Sequence, residues 1–280
     1  MNAIRDGEFV QDEVPAPGKD SLMDMAAEKT STQPARERQN SIDRTVEVLD
    51  ALLKLHAPAK VGDLARLIGA PRSTLYSIIN RLIEAGILEA AGEDGQVYFG
   101  RAMHLYGRAY ADANPLHRRC REALERLASE THATAQLCAL RGNKYVVVDV
   151  RDGTGVFKIT TDIGVEVPIP WTASGRLLLD HMSPAEILAF VPKADFRLPD
   201  GRAIQPEAFV AEIARARADG RCMTNGLSDR FTCCLAAPIR DRRGVAVATL
   251  CFIVPVDSSD GRKRELLDRL VAAAAELSDR

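Results

Sequence analysis

The run DLARLIGAPRSTLYSIINRLIEAGIL, from Asp63 to Leu88, decides the fold of the first half of this chain. Leu64, Ala65 and Ile68 recur at helical spacing, and Gly69 ends the pattern as a glycine stop does, without a Cβ to clash in the left-handed conformation. Pro71 suits the first turn of a new helix, where its missing N–H costs nothing. Leu75, Ile78, Ile79, Leu82 and Ile83 then line one face of that helix, while Arg72, Ser73, Thr74, Tyr76, Ser77, Asn80 and Arg81 lie off that stripe. Side chains of this kind bond base edges or phosphates: asparagine pairs with adenine, arginine with guanine or phosphate. Any surface helix has a polar face, however, and the order of the flanking elements is what gives this one meaning.

Upstream, Ser41 is a plausible N-cap, and Ile42, Val46, Leu49, Leu52 and Leu53 predict a helix that ends near His56, before Pro58. Downstream, Ile87-Leu88-Glu89 and the run Gln96 to Phe99 flank the turn residues Ala91-Gly92-Glu93-Asp94-Gly95, a small hairpin. Three helices, a tight turn and a hairpin are the parts of a winged helix-turn-helix over residues 41–100. The third helix is then placed to enter a DNA major groove, with Arg44 and the wing near the backbone. Glu93 and Asp94 suit phosphate poorly at the wing tip.

Helical spacing returns over residues 101–115 as a linker helix, broken at Asn114-Pro115, and a larger domain is expected over residues 116–280. There, Ala135 to Leu140 and Tyr145 to Val150 read as one hairpin, and Cys233 to Ile239 and Val245 to Val254 as another. Pro184 to Phe190, Pro206 to Ala218 and Gly261 to Leu277 read as helices. Antiparallel strands with helices on one side give an α+β class. Residues 1–40 mix charge, Pro and Ser without apolar periodicity and are expected to be a disordered tail. A basic arm through Arg36 and Arg38 is the alternative, interrupted by Glu37.

The totals exclude several classes. A length of 280 residues accommodates two domains, and 46% hydrophobic with 27% charged residues fits a globular chain. The net charge of −2 means that any basic surface is local. Cys120, Cys138, Cys222, Cys233, Cys234 and Cys251 contain no CxxC pair and the histidines form no HxH or HExxH cluster, so no metal or cofactor is expected. No signal segment opens the chain, and the cysteines sit mostly in apolar runs, which favours the cytoplasm. The uncharged stretch Gly244 to Val256 is too short for a bilayer, which needs about 20 apolar residues, so no membrane role is expected.

From about Ser41 to the C-terminus the chain resembles the IclR family of bacterial regulators. The likeness rests on SIDRTVEVLDAL, on the Asp63–Leu88 run, on PIPWTASGRLLL (Pro168 to Leu179) and on CLAAPIRDRRGVAVATLCF (Cys234 to Phe252), in that order. It implies a regulator, a repressor by default, that binds double-stranded operator DNA as a homodimer or dimer of dimers. It also implies a GAF/profilin-like effector domain for a small organic effector. The resemblance puts the effector pocket between the sheet and the loop of Thr172, Ala173 and Ser174, with Thr224, Cys234 and Cys251 also facing it. Two departures stand out: Thr224 to Arg230 lacks the acidic cluster common in the family, and Ser77 stands where arginine is common.

The loop's own residues point to a carboxylate. Gly164, Pro168, Pro170, Ser174 and Gly175 leave backbone N–H groups that suit an organic acid on the Ser174 and Gly175 amides, although Ser174 could simply cap the following helix. Trp171 could cover a ring or pack in the core, and Arg176 or Arg230 could pair with an anion. Three other functions remain open. Cys233 or Cys234 could act as the nucleophile of a hydrolase, or the cysteines could sense oxidants within the same DNA-binding regulator. The three helices could also serve protein contact alone.

Overall fold

The computed structural model describes residues 40–92, 94–155 and 163–279. The tail expected over residues 1–40 lies outside them apart from Asn40, as does Glu93 of the wing tip. Helix α1 (Ser41–Leu55) is capped by Asn40 rather than by Ser41. Asn40 Oδ1 accepts from the Asp43 amide at 2.9 Å, and the Asp43 carboxylate accepts from the Asn40 amide at 3.2 Å. Asparagine and serine are nearly equal caps, and the reciprocal acid three residues on selects Asn40. Val48, Ala51 and Leu52 face inward, whereas Ile42 and Val46, expected in the same stripe, are exposed.

Strand β1 (Ala59–Lys60), α2 (Val61–Ile68) and α3 (Arg72–Glu84) follow. Gly69 closes α2 at a φ of 69°, and Pro71 stands one residue before α3. Val48 and Leu52 of α1, Leu64 of α2 and Leu75, Ile79 and Leu82 of α3 meet in one core. Strands β2 (Leu88–Ala91) and β3 (Gln96–Phe99) form the hairpin, and β1 joins it as a third strand in the order β1-β3-β2. A two-residue strand carries no alternation to read, so periodicity alone does not reveal β1.

Helix α4 (Arg101–Ala113) buries no residue and ends at Asn114, whose side chain accepts from the His117 amide and caps α5 (Pro115–Thr131). Beyond it, β4 (Thr134–Arg141), β5 (Lys144–Arg151), β6 (Glu166–Val167), β7 (Cys222–Asn225), β8 (Thr232–Arg240) and β9 (Ala246–Pro255) form one antiparallel sheet. Its order is β6-β5-β4-β9-β8-β7.

Helices cover both faces of this sheet, not one as expected. Helices α5 and α9 (Asp260–Leu277) pack on the side of Leu137, Leu235 and Phe252. Helix α6 (Ala173–Leu178), with α7 (Pro184–Phe190) and α8 (Pro206–Asp219), packs on the side of Cys138, Ala236 and Cys251. The reason is legible in β8, where Cys233, Leu235 and Ala237 serve one core and Cys234 and Ala236 the other. A strand without polar alternation is a strand buried on both faces. The α+β class stands.

Candidate functional site

Burial of Leu75, Ile79 and Leu82 turns Arg72, Ser73, Tyr76, Ser77, Asn80 and Arg81 outward from α3, with Thr74 half-buried beside them. No side chain caps the first turn of α3, so its amides remain available to water or phosphate. The Arg72 guanidinium lies over Gly62, 3.8 Å from where a Cβ would stand. Arg81 pairs with Glu84 at 2.6 Å, but both are well exposed and such a pair contributes little. Arg44 is on α1 rather than on this face: it is half-buried, and its Nη1 is enclosed without a hydrogen-bond partner. At the wing, Asp94 is 3.6 Å from Lys60, which offsets part of the tip's negative charge.

A cavity of about 270 Å³ lies between the sheet and the start of α6. Its walls are Gln136 of β4, Tyr145 and Val147 of β5, Val165 and Val167 at β6, Cys234 of β8, and Cys251 and Ile253 of β9, closed by Thr172, Ala173, Ser228, Asp229 and Thr232. Of the six expected effector residues, Thr172, Ala173, Cys234 and Cys251 line it. Ser174 is fully buried behind them with its hydroxyl against Cys251. Thr224 is paired in register with Cys234 but lines a different space, an open groove of about 480 Å³ between α8 and β7. That groove is walled by Glu212, Arg215, Asp219 and Arg221, whereas ligand sites are mostly apolar hollows with few polar groups. The cavity beside the sheet, the more apolar and less open of the two, is therefore the better candidate.

The loop over this cavity corrects two expectations. Thr172, not Ser174, caps α6: its Oγ1 accepts from the Gly175 amide at 2.9 Å, so that amide is not free for a carboxylate. The helix starts this close to the preceding turn because position 175 is glycine; a Cβ there would stand 2.2 Å from the Ile169 carbonyl oxygen. Arg176 is buried: Nε and Nη2 donate to Glu212 at 2.8 and 2.6 Å, and Nη1 to the carbonyls of Pro170 and Thr172. Its guanidinium also stacks on Phe209 at 5.1 Å. Trp171 Nε1 donates to the Asp195 carbonyl at 2.8 Å, and Arg230 is exposed 3.9 Å from Asp200. Arg176 and Trp171 thus hold the loop in place.

All six cysteines are free. Burial pushes Cys120, Cys222 and Cys233 up to about 11 and holds Cys234 well above the usual thiol range. Cys251 is raised in the same sense by a hydrogen bond with Cys138 and by burial, and Tyr145 by burial and by Cys138, whose Sγ is 2.8 Å from its hydroxyl. Neutral thiols are poor nucleophiles and react slowly with oxidants, which speaks against both cysteine-based alternatives. Among the described residues no cluster of three or more His, Cys, Asp or Glu side chains is arranged to hold a metal ion, and no helix is long and apolar enough to cross a membrane.

Sequence reasoning missed the wall residues Gln136, Tyr145, Val147 and Ile253, although they alternate with the opposite core along their strands, as Gln136 and Cys138 do around Leu137. It missed strand β6 as well. Val165 and Val167 face the cavity, while Glu166 between them lies 3.0 Å from Lys54 of α1 and 3.9 Å from Arg141. Arg141 also pairs with Asp50 of α1. Gly164, just before β6, packs against Leu53 and donates to the carbonyl of Val147.

Residues 41–92 match the family described as IclR helix-turn-helix domain, and residues 108–279 that described as Bacterial transcriptional regulator IclR C-terminal. HTH-type transcriptional regulator BhcR of Paracoccus denitrificans is 25% identical over 240 residues, 85% of this chain and 86% of the relative. Transcriptional repressor IclR of Escherichia coli is 20% identical over 252 residues, 89% and 92% of the two chains. The fold is shared with an IclR homolog from Microbacterium hydrocarbonoxydans solved in complex with 4-hydroxybenzoate, at a TM-score of 0.73, 23% identity and coverage of 85% and 98%. With both halves matched in order, this chain belongs to the IclR family of bacterial transcriptional regulators.

Proposed function

We propose that this chain is a repressor that binds operator DNA through α3 and releases it when a small organic molecule enters the cavity beside the sheet. The observation that carries this reading is strand β6. One face of a short strand walls the cavity through Val165 and Val167, and its other face is tied to α1, the first helix of the DNA-reading module, through Glu166 and Lys54. A ligand that shifts β6 thereby changes contacts that bear on the position of α3. A ligand shifts an equilibrium only through its own contacts that differ between the two states, so in this reading it meets Val165 and Val167 differently when the Glu166 ion pairs are made and when they are broken. Repression is supported by relatives named as repressors.

The working unit in this reading is a homodimer or a pair of dimers in the cytoplasm. Leu105, Tyr106 and Tyr110 leave an exposed apolar face along α4, suited to a second copy, and two recognition helices match a two-fold operator. In this reading the base-reading side chains are Arg72, Ser73, Tyr76, Ser77, Asn80 and Arg81, with Thr74 half-buried beside them and Arg44 of α1 outside that face.

The test is a mobility shift on DNA from upstream of the chain's own coding region, repeated over a salt series, with genome-wide capture for distant operators. Specific binding that weakens steeply with salt is expected, because neutralised phosphates release counterions. The reading fails if neither method recovers a specific site.

A further inference from the structure

The six-stranded sheet has two edges, and they are built differently. Edge strand β6 is tied to α1 through Glu166 and Lys54, whereas β7 has no strand against its outer side among the described residues. Residues 156–162 join β5 to β6 at the opposite edge, with β4, β9 and β8 between β5 and β7. The orientation of β7 follows from its register. Gly226 donates to the Thr232 carbonyl, so the pairs Thr224–Cys234 and Cys222–Ala236, two and four residues back, bond to β8 in the same way. Met223 and Asn225 therefore turn their N–H and C=O groups outward. Such an outward row is a template for another strand, and chains that stay single blunt it with lysine, proline or a bulge. The sequence Cys-Met-Thr-Asn holds neither residue, its register runs without a shift, and Met223 at its centre is 47% exposed. Four residues of pairing are little by themselves, and the flanks of the edge supply the rest.

A hollow lies on each side of β7. On one side Cys222 and Thr224 border the groove of about 480 Å³ against Glu212, Arg215 and Asp219 of α8. On the other, Met223 borders a hollow of about 400 Å³ against Asp260, Arg264 and Leu267 of α9. A strand laid against β7 sends alternate side chains to the two sides, and so occupies both. Each flanking helix carries acid, base and acid about one turn apart: Glu212, Arg215 and Asp219 on α8, Asp260, Arg264 and Asp268 on α9. Glu212 is held by Arg176 and Asp268 by Arg221, whereas Arg215 and Asp219 make no ion pair among the described residues. A row of alternating sign complements itself when a two-fold axis reverses it and sets base opposite acid. We propose that β7 is an interface with a second copy of this chain, whose own β7 lies antiparallel against it. Arg215 of each copy then meets Asp219 of the other, and the axis makes every contact twice. This surface is separate from the apolar face of α4, and neither contact depends on the other.

Sedimentation velocity of the full chain over a concentration series tests this, with the melting temperature as the folding control. Met223→Lys, which puts a charge at the centre of the edge, is expected to halve the mass of the largest assembly. Arg215→Asp and Asp219→Arg are each expected to weaken that association at least about tenfold, since like charges then face each other across the axis. The two combined are expected to recover association to within about threefold of the unmodified chain, because the reversed charges again meet as opposites. An unmodified chain that sediments as a single copy overturns the proposal. So does a mass that Met223→Lys leaves unchanged, and the edge then belongs to a different protein or to residues 1–39. Should Met223→Lys lower the melting temperature, the charge series decides alone: a double variant that associates no better than the single ones overturns the proposal.

Discussion

The face of α3 and the cavity beside the sheet are built in opposite ways. The face needs one helix: an apolar stripe at Leu75, Ile79 and Leu82 fixes its rotation, and everything off the stripe is turned to solvent. The cavity needs strands β4, β5, β8 and β9, the edge strand β6, the start of α6 and the loop before β8, and its floor is shared with the core that holds Leu177, Leu178 and Phe209. The contrast teaches where function and stability separate. Side chains on α3 touch little of the fold and can change DNA affinity alone, whereas side chains around the cavity are also structural parts.

The widest separation is expected on α3. Arg72→Ala combined with Asn80→Ala should lower operator affinity by about 10² to 10³-fold, because each substitution removes a partner of a base or phosphate, with the melting temperature unchanged. A melting temperature that falls with the affinity would erase the contrast. Arg176 is the opposite pole. Arg176→Met should cost about 3 kcal/mol and lower the melting temperature by roughly ten degrees, because Glu212 and two carbonyls lose their buried partner. Unchanged stability in calorimetry would mean that the loop is held by Trp171 alone.

Between the poles lies β6. Lys54→Ala and Glu166→Gln should each alter the effector concentration needed for operator release by about fivefold or less, and the double variant should do no more than either single one. Additive effects in that cycle would uncouple the two regions. The smallest effect concerns the thiols. Cys120, Cys222 and Cys233 are raised to about 11 when folded, so the unfolded chain gives up these protons first as pH rises. Their contribution is full below the ordinary thiol range and is lost as pH climbs from about 9 to 11, which urea midpoints at pH 8, 9.5 and 10.5 would register. Alkylation of the native chain should be slow at pH 8 for the same reason.

Legibility follows the same division. The polar residues of α3 can be identified from spacing because a helix places its side chains by local rotation, with no information from elsewhere in the chain. Spacing puts the cap of α1 one residue late, since Asn40 and Ser41 are chemically equivalent there and only the reciprocal bond to Asp43 distinguishes them. Ser174 reads as a cap for a similar reason: Thr172 and Ser174 both carry a hydroxyl, and the turn at Ile169–Trp171 decides where α6 begins. The second helical layer on the sheet is legible in principle, because Cys233 to Ile239 has no polar alternation. Strand β6, by contrast, has no pattern long enough to detect.

From its sequence alone this chain is determined to be an IclR-family protein with a winged helix-turn-helix followed by an α+β domain, because periodicity, glycine and proline stops and ordered motifs are local properties of a chain. Tertiary structure decided what the cavity is. Which groups become its walls, which arginines are spent on Glu212 or Asp200, and whether a loop amide is free depend on segments that lie far apart in sequence and meet only when folded. The charge a ligand encounters is a sum over those neighbours, and no single segment carries it.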